Sequence, residues 1–235
     1  MIRAVKKFWA TLALLSVELI LLIVLFFVAL FAFIFIINNV FGLNDTRFDT
    51  SVFLSIKPFI SDTNTAIMRF ITFFATHTFL FPANVFLACY FLFKKHRWYS
   101  IKIPVVALSS YLVMASLKLV FSRARPDDPV YEAARGFSFP SGHAMSAMTF
   151  YGLLIYLVWR NVESITVRWL STILLSTFIF LIGFSRIYLR VHYASDVLAG
   201  FSMGLIWLVL SLWIMNKVER YTRKEVAPVV NDTPE

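Results

Sequence analysis

The stretch ATLALLSVELILLIVLFFVALFAFIFII, from Ala10 to Ile37, carries one charged side chain, Glu18, and neither proline nor glycine. Backbone in hydrocarbon has no water to bond, so an apolar run of this kind is stable only as a helix, and about 20 residues are enough to span. Arg3, Lys6 and Lys7 precede it, as in a secretory leader. The run is far longer than the ~7–15 residues of a leader's apolar region, and no small-residue cleavage pattern follows. It reads as an uncleaved first membrane helix and sets the fold class: all-α, polytopic.

Five further runs obey the same logic: Phe70 to Phe93, Ile103 to Phe121, His143 to Trp159, Trp169 to Phe184 and Ala194 to Met215. His77, Pro82 and Asn84 interrupt the first of these five, yet Lys94 and Lys95 give it a sharp aqueous end. Between Asn38 and Arg69 the sequence turns mixed, with phenylalanines set among charges, as in helices that lie in the membrane interface. The composition agrees: 60% hydrophobic and 15% charged residues, against roughly 45–50% and 25% in a soluble domain. The expected organisation is one six-helix membrane domain over 1–225 and a disordered cytoplasmic tail over 226–235.

A net charge of +9 raises nucleic acid as a partner, but the basic residues sit in short loops and tails between apolar runs. Anionic lipid headgroups are the simpler partner, and neither nucleic acid nor an obligatory protein partner is inferred. The single cysteine, Cys89, excludes an intramolecular disulfide and reads as a small buried hydrophobe. Lysine and arginine in short loops stay on the cytoplasmic side. Six spans put both termini, and thirteen of the 22 basic residues, on one side, which is therefore expected to be cytoplasmic. Of the nine on the outer side, six fall in two stretches around histidines, Lys118 to Arg135 and Arg186 to Arg190. That cluster runs against the topology signal and asks for a functional reason.

The first outer stretch is KLVFSRARP, Lys118 to Pro126. Seven residues bring Lys118 and Arg125 back to one helix face with only ~20° of drift, so both cations can face one anion; equally, both can snorkel to the headgroups. The second is PSGH, residues 140–143. Ser141, the glycine at 142 and the free amides of a helix start make an anion site with His143 beside it, or else Ser141 is an ordinary N-cap. The third is SRIYLRVHYASD, Ser185 to Asp196. If helical, His192 and Asp196 share a face, so the carboxylate fixes the tautomer and leaves one ring nitrogen as a nucleophile. Asp196 also suits the N-terminal dipole of the last helix.

Together the three stretches match KxxxxxxRP, PSGH and SRxxxxxHxxxD in order and without departure. The chain thereby resembles the type 2 phosphatidate phosphatase family of membrane lipid phosphatases, and the short linker from Arg125 to His143 is similar to that of compact bacterial members, the phosphatidylglycerophosphatase B and undecaprenyl diphosphatase types. The family shares its helical core with vanadium-dependent haloperoxidases; those are soluble, and the membrane composition argues against them.

The resemblance implies that Lys118, Arg125, Ser141, the Gly142 amide and Arg186 hold the phosphoryl oxygens. It also implies that His192, oriented by Asp196, attacks phosphorus while His143 protonates the leaving group and later activates water. No cofactor and no metal are expected; Asp127, Asp128 and Glu132 are the nearest carboxylates and read as a solvated loop. A lipid phosphotransferase would keep every motif residue, and a non-catalytic lipid binder would tolerate the loss of one; none is lost. The expected setting is a bacterial cytoplasmic membrane with the site on its outer face. The expected substrates are phosphatidylglycerol phosphate, then undecaprenyl diphosphate, then phosphatidate, with Arg123, Arg135 and Arg190 as extra charge for a second phosphate.

Overall fold

The computed structural model describes residues 2–131 and 135–226, with side chains for 20–131 and 135–224. It is all-helical among these residues: α1 (Ile2–Ile37), α2 (Arg47–Ile56), α3 (Asp62–Phe73), α4 (His77–Phe93), α5 (Arg97–Phe121), α6 (Gly142–Asn161), α7 (Ile165–Tyr188) and α8 (Ala194–Tyr221). A π-helical turn, Asn38–Gly42, continues α1, and another, Thr222–Val226, follows α8. The expected disordered tail begins inside that last turn at Val226, and its remaining residues lie outside those described, as does Glu132.

Local chemistry fixes the ends. Ser61, Ser141 and Ser164 are N-caps whose hydroxyl oxygens accept from the amides of Asn64, Ala144 and Val167 at 3.3, 3.5 and 3.4 Å, each satisfying a donor that a helix start leaves free. α5 stops at Ser122, which takes the left-handed region at φ +43° and returns its amide to the carbonyl of Lys118. The run expected to be one span from Phe70 to Phe93 is instead two helices. α3 begins earlier, at Asp62, and residues 74–76 form a turn before α4, in which Thr76 Oγ1 donates to the carbonyl of Phe73 at 2.7 Å. The mixed segment 38–69, expected to hold interfacial helices, forms α2 and the start of α3.

Among the described residues, five stretches are long and apolar enough to cross a bilayer: Ile20–Gly42, Asp62–Phe93, Arg97–Phe121, Ile165–Tyr188 and Ala194–Lys224. The sixth expected span corresponds to α6, a 20-residue helix outside that set. Its polar content has a physical reason: α6 packs on α5, α7 and α8, and Ala144, Met145, Ala147, Thr149, Phe150, Tyr151, Leu153 and Leu157 are buried along its length. A helix that meets protein on most sides needs no lipid-facing stripe. Outer helices show the opposite, with Phe86, Phe93, Leu119 and Val120 exposed. Cys89 is exposed on α4 as well, contrary to the buried role expected of it.

The α6–α8 seam is the tightest. A Cβ at Gly200 would lie 2.6 Å from the carbonyl oxygen of Ser141 and 2.9 Å from Ala144 Cβ, and one at Gly204 would lie 2.9 Å from the carbonyl oxygen of Met145. This small-xxx-small pair brings the two backbones together. At one end of the bundle Lys102 of α5, 2% exposed, donates to Asn216 Oδ1 at 2.6 Å and Glu219 Oε2 at 2.5 Å of α8. The three motif stretches gather at the other end.

Candidate active site

His192 lies in the short link between α7 and α8, after Arg190, whose φ of +52° turns the chain. The expected shared helix face is not how His192 and Asp196 meet. Asp196 is the third residue of α8, and its Oδ2 accepts from the backbone amide of Tyr193 at 2.9 Å, so the carboxylate caps the helix and faces the imidazole at once. Nδ1 of His192 is 3.6 Å from Asp196 Oδ2 and 3.5 Å from Ser138 Oγ, and that hydroxyl donates to the same Oδ2. On the far side of the ring, Nε2 is 3.2 Å from Arg125 Nη1. A guanidinium can only donate, so Nε2 is the acceptor and the ring proton sits on Nδ1. Burial, with Arg125 and Arg186 adding to it, pulls the His192 pKa down to about 4. The imidazole is therefore neutral at pH 7, with its Nε2 lone pair available.

Arg125 and Lys118 do converge, but not along one helix face. α5 has ended before Arg125, and the loop carries its side chain back over the site. Lys118 Nζ donates to the carbonyl of Phe137 at 2.6 Å, and Arg125 Nη2 donates to the same oxygen at 3.2 Å. Arg125 also donates to the carbonyls of Gly136 at 2.8 Å and Val191 at 2.6 Å. Lys118 thus turns inward rather than snorkelling. Gly142 stands beside it, since a Cβ there would lie 3.9 Å from Lys118 Cε. Ser141 is both the N-cap of α6 and tied to the motif that follows: its amide donates to the carbonyl of Asp196 at 2.9 Å. The Ser141 hydroxyl keeps its own proton for an anion, and the first-turn amides of Gly142 and His143 have no intrahelical partner.

Arg186, 8% exposed, donates to Thr72 Oγ1 at 2.8 Å, while its Nε has no partner. Arg125 and Arg186 act electrostatically on Lys118, His143 and His192 at this end, and Asp196 acts on Lys118 and His192. An arrangement of several cations around a neutral imidazole, with a single carboxylate behind it, attracts an oxyanion and presents it to a nucleophile. No group of three or more His, Cys, Asp or Glu converges as a metal site among the described residues.

Several residues here were not singled out beforehand: Ser138, Thr72, Asp49 and Ser195. Ser138 lies in the linker between Arg125 and His143, and a serine two residues before a helix-capping Pro–Ser pair carries no distinctive pattern. Arg123 was expected to add free positive charge. Instead its guanidinium lies between Asp196 Oδ1 at 2.6 Å and Asp49 Oδ2 at 2.8 Å, and Arg190 is paired with the exposed Asp128 at 2.5 Å. Neither is the unpaired reader of a second phosphate that the sequence suggested.

Residues 99–220 match the model of the PAP2 superfamily. The chain is 31% identical to phosphatidylglycerophosphatase B of Bacillus subtilis over 159 residues, which cover 67% of this chain and 78% of that protein. It is 30% identical to a lipid A 4'-phosphatase of Bacteroides thetaiotaomicron over 162 residues, 62% of this chain and 65% of that one. Among solved structures, a transmembrane PAP2-type phosphatidylglycerolphosphate phosphatase from Bacillus subtilis superposes with a TM-score of 0.72 at 27% identity, covering 85% of this chain and 98% of that structure. The chain therefore belongs to the PAP2 superfamily, as a multi-pass membrane phosphatase.

Proposed function

We propose that this phosphatase removes the terminal phosphate of a membrane-anchored lipid phosphate through a phosphohistidine on His192, at the outer face of a bacterial cytoplasmic membrane. The observation that carries the reading is the buried neutral imidazole, its Nδ1 side held by Asp196 and Ser138 and its Nε2 turned toward Arg125. In the first step the Nε2 lone pair attacks phosphorus and the P–O bond to the lipid breaks. His143, charged once the phosphate anion lies beside it, gives its proton to the departing oxygen. Developing charge on the phosphoryl oxygens is met by Lys118, Arg125, Arg186, the Ser141 hydroxyl and the Gly142 amide. In the second step neutral His143 takes a proton from water, the hydroxide attacks phosphorus, the P–N bond breaks, and inorganic phosphate leaves with the His192 lone pair restored. No residue in this scheme needs a metal, so activity in chelator is the expected result, and a strict magnesium requirement would defeat it.

Phosphatidylglycerol phosphate is placed first among substrates because the relative that this chain matches over 78% of its length carries that activity in its name. Undecaprenyl diphosphate and phosphatidate follow. Of the three arginines expected to suit a second phosphate, Arg123 and Arg190 are paired within the chain, which weakens that support. The reading treats residues 1–225 as one domain with cytoplasmic termini, supported by the bias of basic residues.

The test is kcat/KM for the three lipids in one mixed-micelle system, since that ratio reports transition-state discrimination, together with quenching of radiolabelled turnover to trap an acid-labile phosphoenzyme. Full turnover in His192→Asn would end the nucleophile assignment, and equal efficiency on soluble phosphate esters would remove the lipid. For the face, Cys89 is first replaced by serine. A cysteine at Asp128 should then react with a membrane-impermeant thiol reagent in intact cells, and one near Arg223 should not.

A further inference from the structure

We propose that Asp49, on the interfacial helix α2, is a positioning residue for the phosphatase reaction: it holds Arg123, and through Arg123 it sets the charge and aim of Asp196 behind His192. The inference rests on the reading of His192 as nucleophile. It concerns a residue outside the segment that matches the family model, which begins at 99.

α2 otherwise behaves as a surface helix, with Phe48 and Leu54 exposed. Asp49 and Ile56 are the exceptions, Asp49 at 2% exposure. A buried carboxylate is costly unless it is paired and hydrogen-bonded, and this one is saturated. Its Oδ1 accepts from the Ser195 amide at 2.8 Å, and its Oδ2 accepts from Ser195 Oγ at 2.7 Å and Arg123 Nη2 at 2.8 Å. The other terminal nitrogen of Arg123, Nη1, donates to Asp196 Oδ1 at 2.6 Å and Ser195 Oγ at 2.8 Å, and the guanidinium lies 4.1 Å over the Tyr193 ring. One guanidinium is thus shared by two carboxylates, and the Ser195 hydroxyl donates to Asp49 while accepting from Arg123.

The sharing matters because of what surrounds His192. Lys118 of α5, Arg123 and Arg125 of the following loop, His143 of α6 and Arg186 of α7 are all cationic or neutral, and Asp196 of α8 is the anion that acts on the ring. Attack on phosphorus places positive charge on the imidazole, and a carboxylate at Nδ1 stabilises it. With Asp49 present, Arg123 and the two carboxylates sum to one negative charge, which Asp196 presents to the ring. Without the Asp49 charge, Arg123 pairs with Asp196 alone, and the ring faces a neutral pair whose carboxylate is drawn toward the guanidinium.

A purely structural role is the competing explanation, since Asp49 also satisfies an amide at the start of α8, where a carboxylate suits the helix dipole. D49N separates the two, because the amide oxygen still accepts from Ser195 while the charge is lost. In the full-length protein in detergent, with phosphatidylglycerol phosphate as probe, D49N should lower kcat about 10- to 100-fold, the range for residues that orient another catalytic group. KM should stay within twofold. Because Asp49 acts through Arg123, the double variant D49N/R123Q should be no slower than R123Q, and additive losses would show independent action. A kcat within twofold of wild type, a loss confined to KM, or additivity each overturns the inference. Should D49N fail to fold, S195A keeps both charges and removes the hydroxyl that joins Asp49 to Arg123; it should lower kcat several-fold at unchanged KM, and an unchanged kcat there overturns the inference equally. His192→Asn is run alongside: turnover surviving in it sinks the nucleophile reading, whereas an inert His192→Asn beside a fully active D49N sinks the Asp49 inference alone.

Discussion

Two buried polar clusters sit at opposite ends of the same helix pair, α5 and α8, and they are built on opposite principles. At one end Lys102 bonds Asn216 and Glu219, and Tyr156 and Arg223 bond the same two acceptor residues. At the other, among the described residues, Lys118, Arg123, Arg125 and Arg186 face the two carboxylates of Asp49 and Asp196, and Arg186 Nε has no partner. In the first cluster the buried cation, Lys102, is matched by Glu219, and Arg223 beside them is exposed to the surroundings. The second has more cations than anions and an unfilled donor. Lys102 and Lys118 are both basic residues at an end of one long helix; what separates latch from site is whether the charge finds its complement within the chain. An uncompensated buried cation is held in place by the rest of the fold and destabilises it, which is physical reason to expect an anion from outside.

The largest contrast should appear on removing one cation from each end. Lys118→Met and Arg125→Met should lower kcat/KM by about 10²- to 10³-fold, the scale of losing one transition-state donor, while thermal stability in detergent stays level or rises as repulsion is relieved. Lys102→Met should do the reverse: a stability loss of about 3 kcal/mol, at the lower end for a broken buried pair because Glu219 is partly exposed, with kcat of the folded fraction unchanged. Equal stability losses at both ends would erase the distinction.

Acid should sharpen it further. The His192 pKa, near 6.5 when unfolded and about 4 when buried in the fold, means that between those values the unfolded chain binds the extra proton. Its stabilising contribution is therefore complete above about pH 6.5 and is lost as pH falls toward 4, up to about 3 kcal/mol in all. Chemical denaturation across that window should show the full slope in wild type and in Lys102→Met and a distinctly smaller one in His192→Asn. The smallest effect is from ligand. Vanadate, an oxyanion, at ten times its Kd should stabilise wild type by about 1.4 kcal/mol, leave that gain intact in Lys102→Met and lose it in Lys118→Met; a gain that depends on Lys102 would place the anion at the wrong end.

The sequence was most informative where chemistry and spacing are local. The apolar runs foretold helices, and the three stretches around Lys118, Ser141 and His192 foretold residues that now lie together. It was least informative about how they meet. Arg125 reaches Lys118 by a loop rather than a helix face, and His192 reaches Asp196 through a capping turn. Asp49 bonds Ser195 across 146 positions and Thr72 bonds Arg186 across 114; no periodicity marks partners so far apart. Asp49 is one of three aspartates in the segment 38–69, with Asp45 and Asp62, and nothing in the sequence sets it apart. α6 misled in the other direction, since hydropathy measures contact with lipid, and this helix is surrounded by protein on most of its faces.

The glycine seam between α6 and α8 bears on how finely the site is gauged. Ser141 begins one helix and Asp196 lies near the start of the other, and the gap between them is set by main-chain atoms meeting across Gly200 and Gly204. Side chains that separate two helices can swing to new rotamers and absorb a disturbance. Bare backbones cannot, so they act as the fixed jaws of a caliper. A methyl group added at Gly200 would be transmitted undiminished to the pocket as a displacement of several tenths of an ångström, while a larger change on the lipid-facing side of either helix would dissipate in fluid acyl chains before reaching it.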